Sequence, residues 1–232
     1  MSKYVLIPDF FKGTLSSTAI CRMMSEEIRA LEPSAQIISI PVADGGEGTV
    51  EAFLTAVGGE RIEVRCKGPY FEDFTGYFAM LPGEIAVVEM VVAAGLPLVG
   101  ERRNAGATTT YGVGQLIAAA LDYGAKQVIL GLGGSATNDG GCGAAAALGV
   151  EFRNAAGELF VPVGGTLKEA KTRSTPMLTT ANARSIWWRV FVSVVFLFGS
   201  LVILMRAFLE MKGNSSHEIW VSRELYSYCF LL

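Results

Sequence analysis

The hydrophobic pattern at the start of the chain predicts a strand, a helix and a second strand. Residues 4–8 form a short apolar run, and residues 37–43 form a longer, β-branched one. Between them, apolar side chains recur at helical spacing over residues 17–31, and either Ser16 or Ser17 can cap that helix. A strand, a helix and a strand at this spacing form a parallel βαβ unit, which indicates an α/β fold.

A strand followed by a glycine-rich turn and then a helix is predicted at two places in the chain. In the first copy, residues 44–49 (Asp-Gly-Gly-Glu-Gly-Thr), here called the acidic turn, precede a helical pattern over residues 50–57. In the second, an apolar strand at residues 127–130 precedes residues 131–143 (Gly-Leu-Gly-Gly-Ser-Ala-Thr-Asn-Asp-Gly-Gly-Cys-Gly), here called the glycine loop. An alanine-rich helical segment at residues 144–148 follows. Because ligands of open α/β sheets bind beyond the carboxyl ends of the strands, both turns are candidate sites.

The segment between the two turns predicts a mixed sheet and one further helix. Strand-like runs occupy residues 62–66, 74–80 and 85–91, with Gly-Pro and Pro-Gly turns between them. Thr109 and Thr110 precede a helical pattern, and their hydroxyl groups either cap that helix or bind a substrate carboxylate.

These elements group into an α/β architecture with two domains and a tail. We predict a Rossmann-like first domain with a parallel βαβ unit, incomplete, over residues 1–65. A second α/β domain with a mixed sheet and the glycine loop is predicted over residues 66–170, and an atypical apolar tail over residues 171–232.

The glycine loop has the composition of a phosphate site. Glycines let backbone N–H groups approach an anion, and Ser135, Thr137 and Asn138 place polar groups beside them. Asp139 adds a carboxylate of the kind that holds Mg²⁺, so the combination favours phosphoryl transfer over the alternative of a plain tight turn. It is not a Walker A motif, because no Gly-Lys-Ser or Gly-Lys-Thr follows. Its Gly-x-Gly-x-x-Ala run leaves a dinucleotide-binding oxidoreductase as an alternative.

Charged residues at the other strand ends add to the candidate site. Asp44 and Glu47 are hard oxygen ligands suited to Mg²⁺, and the alternatives are a turn residue and a helix-terminal charge. Lys12 either pairs with phosphate as a point charge or stays solvated. Glu89 lies inside an apolar run, where an unpaired carboxylate is costly, so it is either a site residue or one partner of a structural ion pair.

Five separated motifs stand in the order seen in bacterial glycerate kinases of the type that phosphorylates the 2-hydroxyl, and the chain resembles that family over residues 3–170. The motifs are Pro-Asp-x-Phe-Lys-Gly at 8–13, Ala-Asp-Gly-Gly-Glu-Gly-Thr at 43–49, Gly-Leu-Pro-Leu at 95–98, Thr-Thr-Tyr-Gly at 109–112 and Gly-Gly-Ser-Ala-Thr-Asn-Asp-Gly-Gly at 133–141. The resemblance implies ATP-dependent phosphorylation of D-glycerate with Mg²⁺. It also implies an active site in a cleft between two α/β domains, one of which interrupts the other. The family usually has serine where this chain has Phe10.

The resemblance and the residue chemistry together give each candidate a predicted role. Lys12, Asp44 and Asp139 are the predicted catalytic residues, and Asp44 and Asp139 are the predicted metal ligands. The predicted cofactor-binding residues belong to the glycine loop and are Gly133, Gly134, Ser135, Thr137, Asn138, Gly140 and Gly141. The predicted substrate-binding residues are Asp9, Glu47, Glu89, Thr109 and Thr110.

The composition changes where the resemblance ends, near Lys171. Residues 171–232 contain all three tryptophans, the one histidine and two of the 27 glycines. They also carry seven Lys or Arg against three Asp or Glu, in a chain whose net charge is −3. We interpret this tail as an unrelated replacement for the C-terminal part of the family, and a reading-frame change is the leading hypothesis. The protein is then expected to be truncated, and a non-catalytic fragment of such a kinase is an alternative function.

An apolar run in the tail bears on membrane association. Extended to residues 190–209, it approaches the length of a membrane span, although Arg206 interrupts it. A buried helix or an accident of a shifted frame are the alternatives, so a membrane partner is expected only if this run is a genuine span.

The net charge and the cysteines indicate which partners and which cellular compartment to expect. The chain is mildly acidic, with a net charge of −3 and no basic stripe, which argues against a nucleic-acid partner. Its four scattered cysteines indicate reduced thiols, and its N-terminal segment enters a strand pattern without a secretory signal. We therefore expect a cytoplasmic protein with a small-molecule substrate, D-glycerate.

Overall fold

The structure, a computed structural model, describes residues 2–9, 11 and 14–174 of the 232-residue chain. Lys12, Phe10 and most of the predicted tail, including the run at residues 190–209, lie outside the described residues. Within the described part, no helix combines the length and the apolar character that crossing a membrane requires. Parallel and mixed sheets alternate with helices, which confirms the predicted α/β fold class.

The first elements form a parallel βαβ unit, as predicted. Strand β1 (Lys3–Leu6) pairs in parallel with strand β2 (Gln36–Ser39), and helix α1 (Ser17–Leu31) crosses between them. Of the two candidate caps, Ser16 is the one used, because its Oγ accepts a 3.1 Å hydrogen bond from the Ala19 N–H. The unit places the residues that follow β1 and β2 at the same edge of a small sheet.

The largest sheet is mixed and has four strands in the order β3, β4, β5, β6. Its strands are β3 (Glu60–Lys67), β4 (Asp73–Leu81), β5 (Ile85–Glu89) and β6 (Gln127–Gly131). The β3–β4 and β4–β5 pairs are antiparallel, whereas β5 and β6 are parallel, with Glu89 opposite Gly131. The parallel pair therefore brings Glu89 and the first residue of the glycine loop side by side.

Short helices and a small third sheet complete the described chain. The helices are α2 (Thr49–Val57), α3 (Met90–Ala94), α4 (Leu96–Val99), α5 (Tyr111–Asp122) and α6 (Cys142–Ala147), with 3-10 helices at Ala105–Ala107 and Gly164–Glu169. The third sheet has β7 in its centre, and its strands are β7 (Glu151–Arg153), β8 (Leu159–Phe160) and β9 (Thr172–Ser174).

Hydrophobic clusters cover both faces of strands β4 and β5 in the four-stranded sheet. On one face, Phe78 and Val88 pack in a cluster with Leu116 of α5, and all three are fully buried. On the other face, Val87 packs in a cluster with Val50 of α2. Because side chains alternate between the faces of a strand, Glu89 falls on the same face as Val87, toward α2.

Two boundaries in the chain differ from the sequence expectations or remain open. The strand predicted over residues 85–91 ends at Glu89, because the chain turns into α3 and buries Val91 from a helix instead of a strand. The predicted domain boundary after residue 65 falls within β3, and the division into two domains stays a prediction.

Candidate functional site

The acidic turn and the glycine loop touch through their backbones. The Gly133 N–H donates a 2.9 Å hydrogen bond to the Gly45 carbonyl oxygen. A Cβ atom at Gly131 would lie 2.4 Å from that same oxygen, and one at Gly133 would lie 2.7 Å from the Gly46 nitrogen. Only glycine allows this approach, so the side-chain-poor composition of both turns has a direct steric cause.

The acidic turn is folded on itself and exposes one of its two carboxylates. The Asp44 Oδ1 accepts a 3.0 Å hydrogen bond from the Gly46 N–H, and the side chain is half-buried. The Thr49 hydroxyl donates to the Gly46 carbonyl at 2.8 Å. Glu47 is exposed. The turn therefore presents one partly sheltered and one solvated carboxylate beside the glycine loop.

Glu89 lies beneath the acidic turn and is 1% exposed. Its Oε1 accepts a hydrogen bond from the Val50 N–H in the first turn of α2. Its Oε2 is buried and has no hydrogen-bond partner within the described residues. Burial raises the pKa of the Glu89 carboxyl to about 7. The Val50 and Gly48 backbone N–H groups oppose the rise, and the charges of Glu51 and Glu47 add to it. The sequence hypothesis of an ion-pair partner finds no cation at this carboxylate among the described residues.

Asp139 is also 1% exposed, and both oxygens of its carboxylate accept hydrogen bonds. Its Oδ2 accepts hydrogen bonds from the Thr110 N–H at 2.8 Å, the Thr110 hydroxyl at 2.9 Å and the Gly143 N–H at 3.1 Å. Its Oδ1 accepts one from the Gly141 N–H at 3.0 Å. These bonds join the start of α5 to the start of α6. The carboxylate predicted as a metal ligand therefore holds the far end of the glycine loop together.

The outer part of the glycine loop is accessible. Ser135 and Thr137 are half-buried, with their hydroxyl oxygens 2.8 Å apart, and the Thr137 N–H donates to the Ser135 Oγ at 3.1 Å. Gly134, Asn138 and Gly140 are exposed. The loop is anchored to the neighbouring segment, because the Leu96 N–H donates to the Gly134 carbonyl at 2.9 Å. These exposed and half-buried groups form the surface that a ligand of the loop can reach.

Thr109 and Thr110 face inward. Thr109 is fully buried, and its Oγ1 accepts a 3.1 Å hydrogen bond from the Tyr111 N–H. The Thr110 Oγ1 donates to Asp139 and accepts from the Ala144 N–H at 2.9 Å. Of the two roles weighed from the sequence, the observed contacts are those of a cap at Thr109 and of a link between helices at Thr110.

Ser17 joins the segments that follow β1 and β2, a role that the sequence did not indicate. Its hydroxyl donates a 2.6 Å hydrogen bond to the Pro8 carbonyl and accepts a 3.0 Å one from the Val42 N–H. Asp9, which is exposed, therefore follows a segment tied to the one that leads into the acidic turn. Lys12, the predicted cation of this region, lies outside the described residues.

A second contact missed from the sequence involves Asn138 of the glycine loop. A Cβ atom at Gly164 would lie 1.6 Å from the Asn138 Oδ1, so the Gly164–Glu169 3-10 helix packs directly against this amide. The Gly164–Gly165 pair was the available signal, since paired glycines after a strand mark a close backbone approach.

No group of three or more histidine, cysteine, aspartate or glutamate side chains comes together as a metal site within residues 2–9, 11 and 14–174. The dinucleotide alternative also finds no support in the loop geometry. That fingerprint leads directly from its glycines into a helix, whereas α6 begins only at Cys142.

Comparison with known proteins gives this arrangement a family. Residues 4–197 of the chain match the glycerate kinase family. The chain belongs to the glycerate kinase family. The family predicted from the five motifs is thereby confirmed, and the match extends past residue 170, where the sequence resemblance was expected to end.

Individual relatives agree with the family. A glycerate kinase of Bacillus cereus is 44% identical over 167 residues, which are 71% of this chain and 44% of the relative. A glycerate 2-kinase of Escherichia coli K12 is 42% identical over 167 residues, with the same two shares. A crystal structure described as glycerate kinase 2 from Salmonella typhimurium LT2 matches with a TM-score of 0.64 at 36% identity, covering 75% of this chain and 47% of that one. The chain thus spans less than half the length of the relatives it matches.

Proposed function

We propose that the protein transfers the γ-phosphoryl group of ATP to D-glycerate and forms phosphoglycerate, with the 2-hydroxyl group as the acceptor. The bond between the γ-phosphorus and its bridging oxygen and the O–H bond of the acceptor hydroxyl break, the bond between phosphorus and the glycerate oxygen forms, and ADP and a proton leave. The observation that carries this proposal is the backbone contact between Gly133 and Gly45, at 2.9 Å. It unites an acidic turn and a phosphate-type loop in one place, in a member of a kinase family.

The glycine loop is the proposed place for the ATP phosphates. Backbone N–H groups and hydroxyl groups bind phosphate oxygens without a formal charge, and glycine removes the side chains that would block them. The proposed contacts come from the seven loop residues singled out in the sequence: Gly133, Gly134, Ser135, Thr137, Asn138, Gly140 and Gly141. Their exposed or half-buried positions support this assignment.

The acidic turn is the proposed place for Mg²⁺. The donor set fits, because Mg²⁺ is usually held by one or two carboxylates plus substrate phosphates, and Asp44 is a half-buried carboxylate beside the glycine loop. Asp139 is the second proposed ligand through its Oδ1, which accepts one hydrogen bond and keeps a further lone pair. When bound, Mg²⁺ would offset charge on the phosphates.

The remaining proposed roles follow from charge and exposure. Lys12 would offset charge on the transferred phosphoryl group. Asp9 and Glu47 are exposed carboxylates at the same edge, and either could orient the glycerate hydroxyl group. Glu89, Thr109 and Thr110, the other predicted substrate ligands, are buried and bonded internally, so we assign them to the support of the site.

The protein is proposed to work on a small molecule in the cytoplasm, where ATP is available and thiols stay reduced. Cys21 and Cys66 are buried free thiols, in keeping with such a compartment.

A coupled ADP-release assay on the 232-residue chain with D-glycerate, ATP and Mg²⁺ tests the proposal. We expect ADP release that depends on D-glycerate and a product whose phosphorus resonance is that of 2-phosphoglycerate. Asp44→Asn should lower turnover by roughly 100-fold or more, because it removes charge from a preorganised site. Asp122→Asn, which changes an exposed carboxylate at the end of α5, should leave turnover unchanged.

Two results would count against the proposal. Equal turnover of Asp44→Asn and the parent chain would remove the acidic turn from the chemistry. A chain that binds Mg²⁺–ATP without releasing ADP would instead be a non-catalytic fragment of a kinase. That second candidate is favoured by one observation, the open two-stranded sheet of β1 and β2, where Val5 is 51% exposed.

A further inference from the structure

Both helices that follow the glycine-rich turns begin at a residue that cannot cap them. The residue before α2 is Gly48, with φ at 90°, and the residue before α6 is Gly141, with φ at 77°. This left-handed conformation favours glycine, and glycine has no side chain to accept a hydrogen bond from the first helical N–H groups. Each helix therefore needs an acceptor from elsewhere.

For α2 that acceptor is Glu89. Its carboxylate reaches from the end of β5 to the Val50 N–H, the second amide of the helix. The residue lies 39 positions away along the chain, so the contact fixes the acidic turn and α2 relative to the four-stranded sheet. The Gly133–Gly45 hydrogen bond fixes the other end of the same turn. The acidic turn is thus held at two points, and one of them depends on a single side chain.

The cost of this arrangement argues that it serves the site. A buried carboxylate with an unpartnered oxygen is destabilising relative to a neutral or apolar side chain of similar size. Glu89 also faces like charge, because Glu47 of the acidic turn and Glu51 of α2 are carboxylates whose charges raise its pKa. From β4 it faces Tyr77, whose phenol pKa is raised by burial and then by Glu89. The nearby Arg61 guanidinium lies over the Tyr77 ring at 3.6 Å.

We propose that Glu89 is a positioning residue, whose buried carboxylate holds the acidic turn against the glycine loop and so keeps Asp44 and Glu47 in place for a ligand. The identity of that ligand as Mg²⁺–ATP with D-glycerate rests on the proposed function. The position of the turn itself does not.

Backbone-amide hydrogen exchange on the full 232-residue chain tests the proposal. The variants are Glu89→Ala, which removes the acceptor, and Glu89→Gln, which keeps an amide oxygen for Val50. The control is Glu63→Gln, which removes an exposed carboxylate from the neighbouring strand β3. Exchange is followed for a segment over residues 44–54 and, as an internal reference, for α5. Isothermal titration with Mg²⁺–ATP is run on the same samples.

We expect Glu89→Ala to exchange roughly tenfold or more faster over residues 44–54, with α5 unchanged, because a hydrogen bond to a charged group is lost. Glu89→Gln should stay within about threefold of the parent chain, and Glu63→Gln should match the parent chain. Between pH 6 and pH 8, protection of this segment in the parent chain should shift beyond the intrinsic pH effect. Glu89→Gln should lack that shift, a result that a purely packing role would not produce.

Several outcomes would overturn the proposal. One is a folded Glu89→Ala chain with parent-like exchange over residues 44–54. If Glu89→Ala does not fold, the test rests on the pH dependence of exchange over residues 44–54. The same pH dependence in Glu89→Gln and in the parent chain then contradicts the proposal. If Glu89→Ala loosens the turn and no variant binds Mg²⁺–ATP, the proposed function fails and the positioning of the turn stands. If the parent chain binds Mg²⁺–ATP, Glu89→Ala should bind it about tenfold more weakly, and equal binding would overturn the role toward the ligand.

Discussion

A buried carboxylate accepts hydrogen bonds at the start of α2 and another does so at the start of α6, and the two differ in how fully their oxygens are hydrogen-bonded. Asp139 reaches from two residues before Gly141 and accepts four hydrogen bonds at distances of 2.8–3.1 Å. Glu89 reaches from a separate strand and leaves its Oε2 without a partner in the described chain. Both are 1% exposed, so burial alone does not separate them.

The difference lies in what each carboxylate costs. A buried charge whose oxygens accept several N–H and O–H donors is compensated, and it binds the groups that surround it into one unit. A buried carboxylate with an unpartnered oxygen is compensated only in part, and its protonation state follows the pH. Asp139 therefore resembles a structural anchor, whereas at Glu89 the folded protein buries a carboxylate that lowers its stability. Such costs concentrate at functional sites.

The largest effect is expected at the anchor. Asp139→Ala would leave the Thr110, Gly141 and Gly143 N–H groups without their acceptor inside the protein, and should lower the free energy of unfolding by about 3 to 5 kcal/mol. Urea unfolding measures this loss, with Asp122→Ala on the exposed end of α5 as the control. A loss no larger than that of the control would show that water replaces the carboxylate, and the contrast with Glu89 would disappear.

The anchor also shows how far the sequence reaches. Asp139 stands within the glycine loop, so local spacing identified the carboxylate and placed it in the turn before a helix. The elements that frame it, the βαβ unit and the mixed sheet, follow from hydrophobic periodicity, because each strand or stripe must bury one face. What local spacing cannot give is the partner, since Thr110 joins Asp139 from 29 positions earlier.

Glu89 and Ser17 have tertiary partners that the sequence pattern does not predict. A carboxylate in an apolar run identified Glu89 as unusual, but its contact with Val50 depends on the packing of α2 over β5, which no local pattern contains. Ser17 was one of two candidate helix caps, whereas its hydroxyl bridges Pro8, nine positions earlier, and Val42, 25 positions later. In both cases the residue type was visible and the tertiary partner was not.

An intermediate effect is expected from the ionisation of Glu89. Its carboxyl has a pKa of about 7 in the folded chain, against 4.5 as the ordinary value, so the folded state holds a proton that the unfolded state has released. The contribution of Glu89 to the free energy of unfolding is therefore fully present below pH 4.5 and is lost as the pH rises toward 7. Above pH 7 the free energy of unfolding stays lower by about 3 kcal/mol in total.

The measurement is the free energy of unfolding of the parent chain and Glu89→Gln between pH 4.5 and pH 8. The parent minus variant difference should become more unfavourable as the pH rises, because the amide does not titrate. Taking the difference removes the contribution of the other carboxyl groups, among them Asp73, whose pKa is lowered by Lys67. A difference that stays constant with pH, or that changes in the opposite direction, contradicts a raised pKa at Glu89.

The smallest effect separates the position of the acidic turn from the stability of its helix. Gly48 and Gly58 flank α2, with φ at 90° and 75°, and a Cβ atom at either would meet nothing within 4 Å. Gly48 has ψ at 0°, in the left-handed helical region, so alanine there should cost about 1 to 2 kcal/mol. Gly58 has ψ at −172°, a conformation essentially restricted to glycine, so Gly58→Ala should cost at least as much. Only Gly48 lies in the acidic turn, so Gly48→Ala should weaken Mg²⁺–ATP binding, whereas Gly58→Ala should not. Parent-like binding by Gly48→Ala would mean that the turn tolerates displacement, and it would remove the reason for holding the turn with a costly carboxylate.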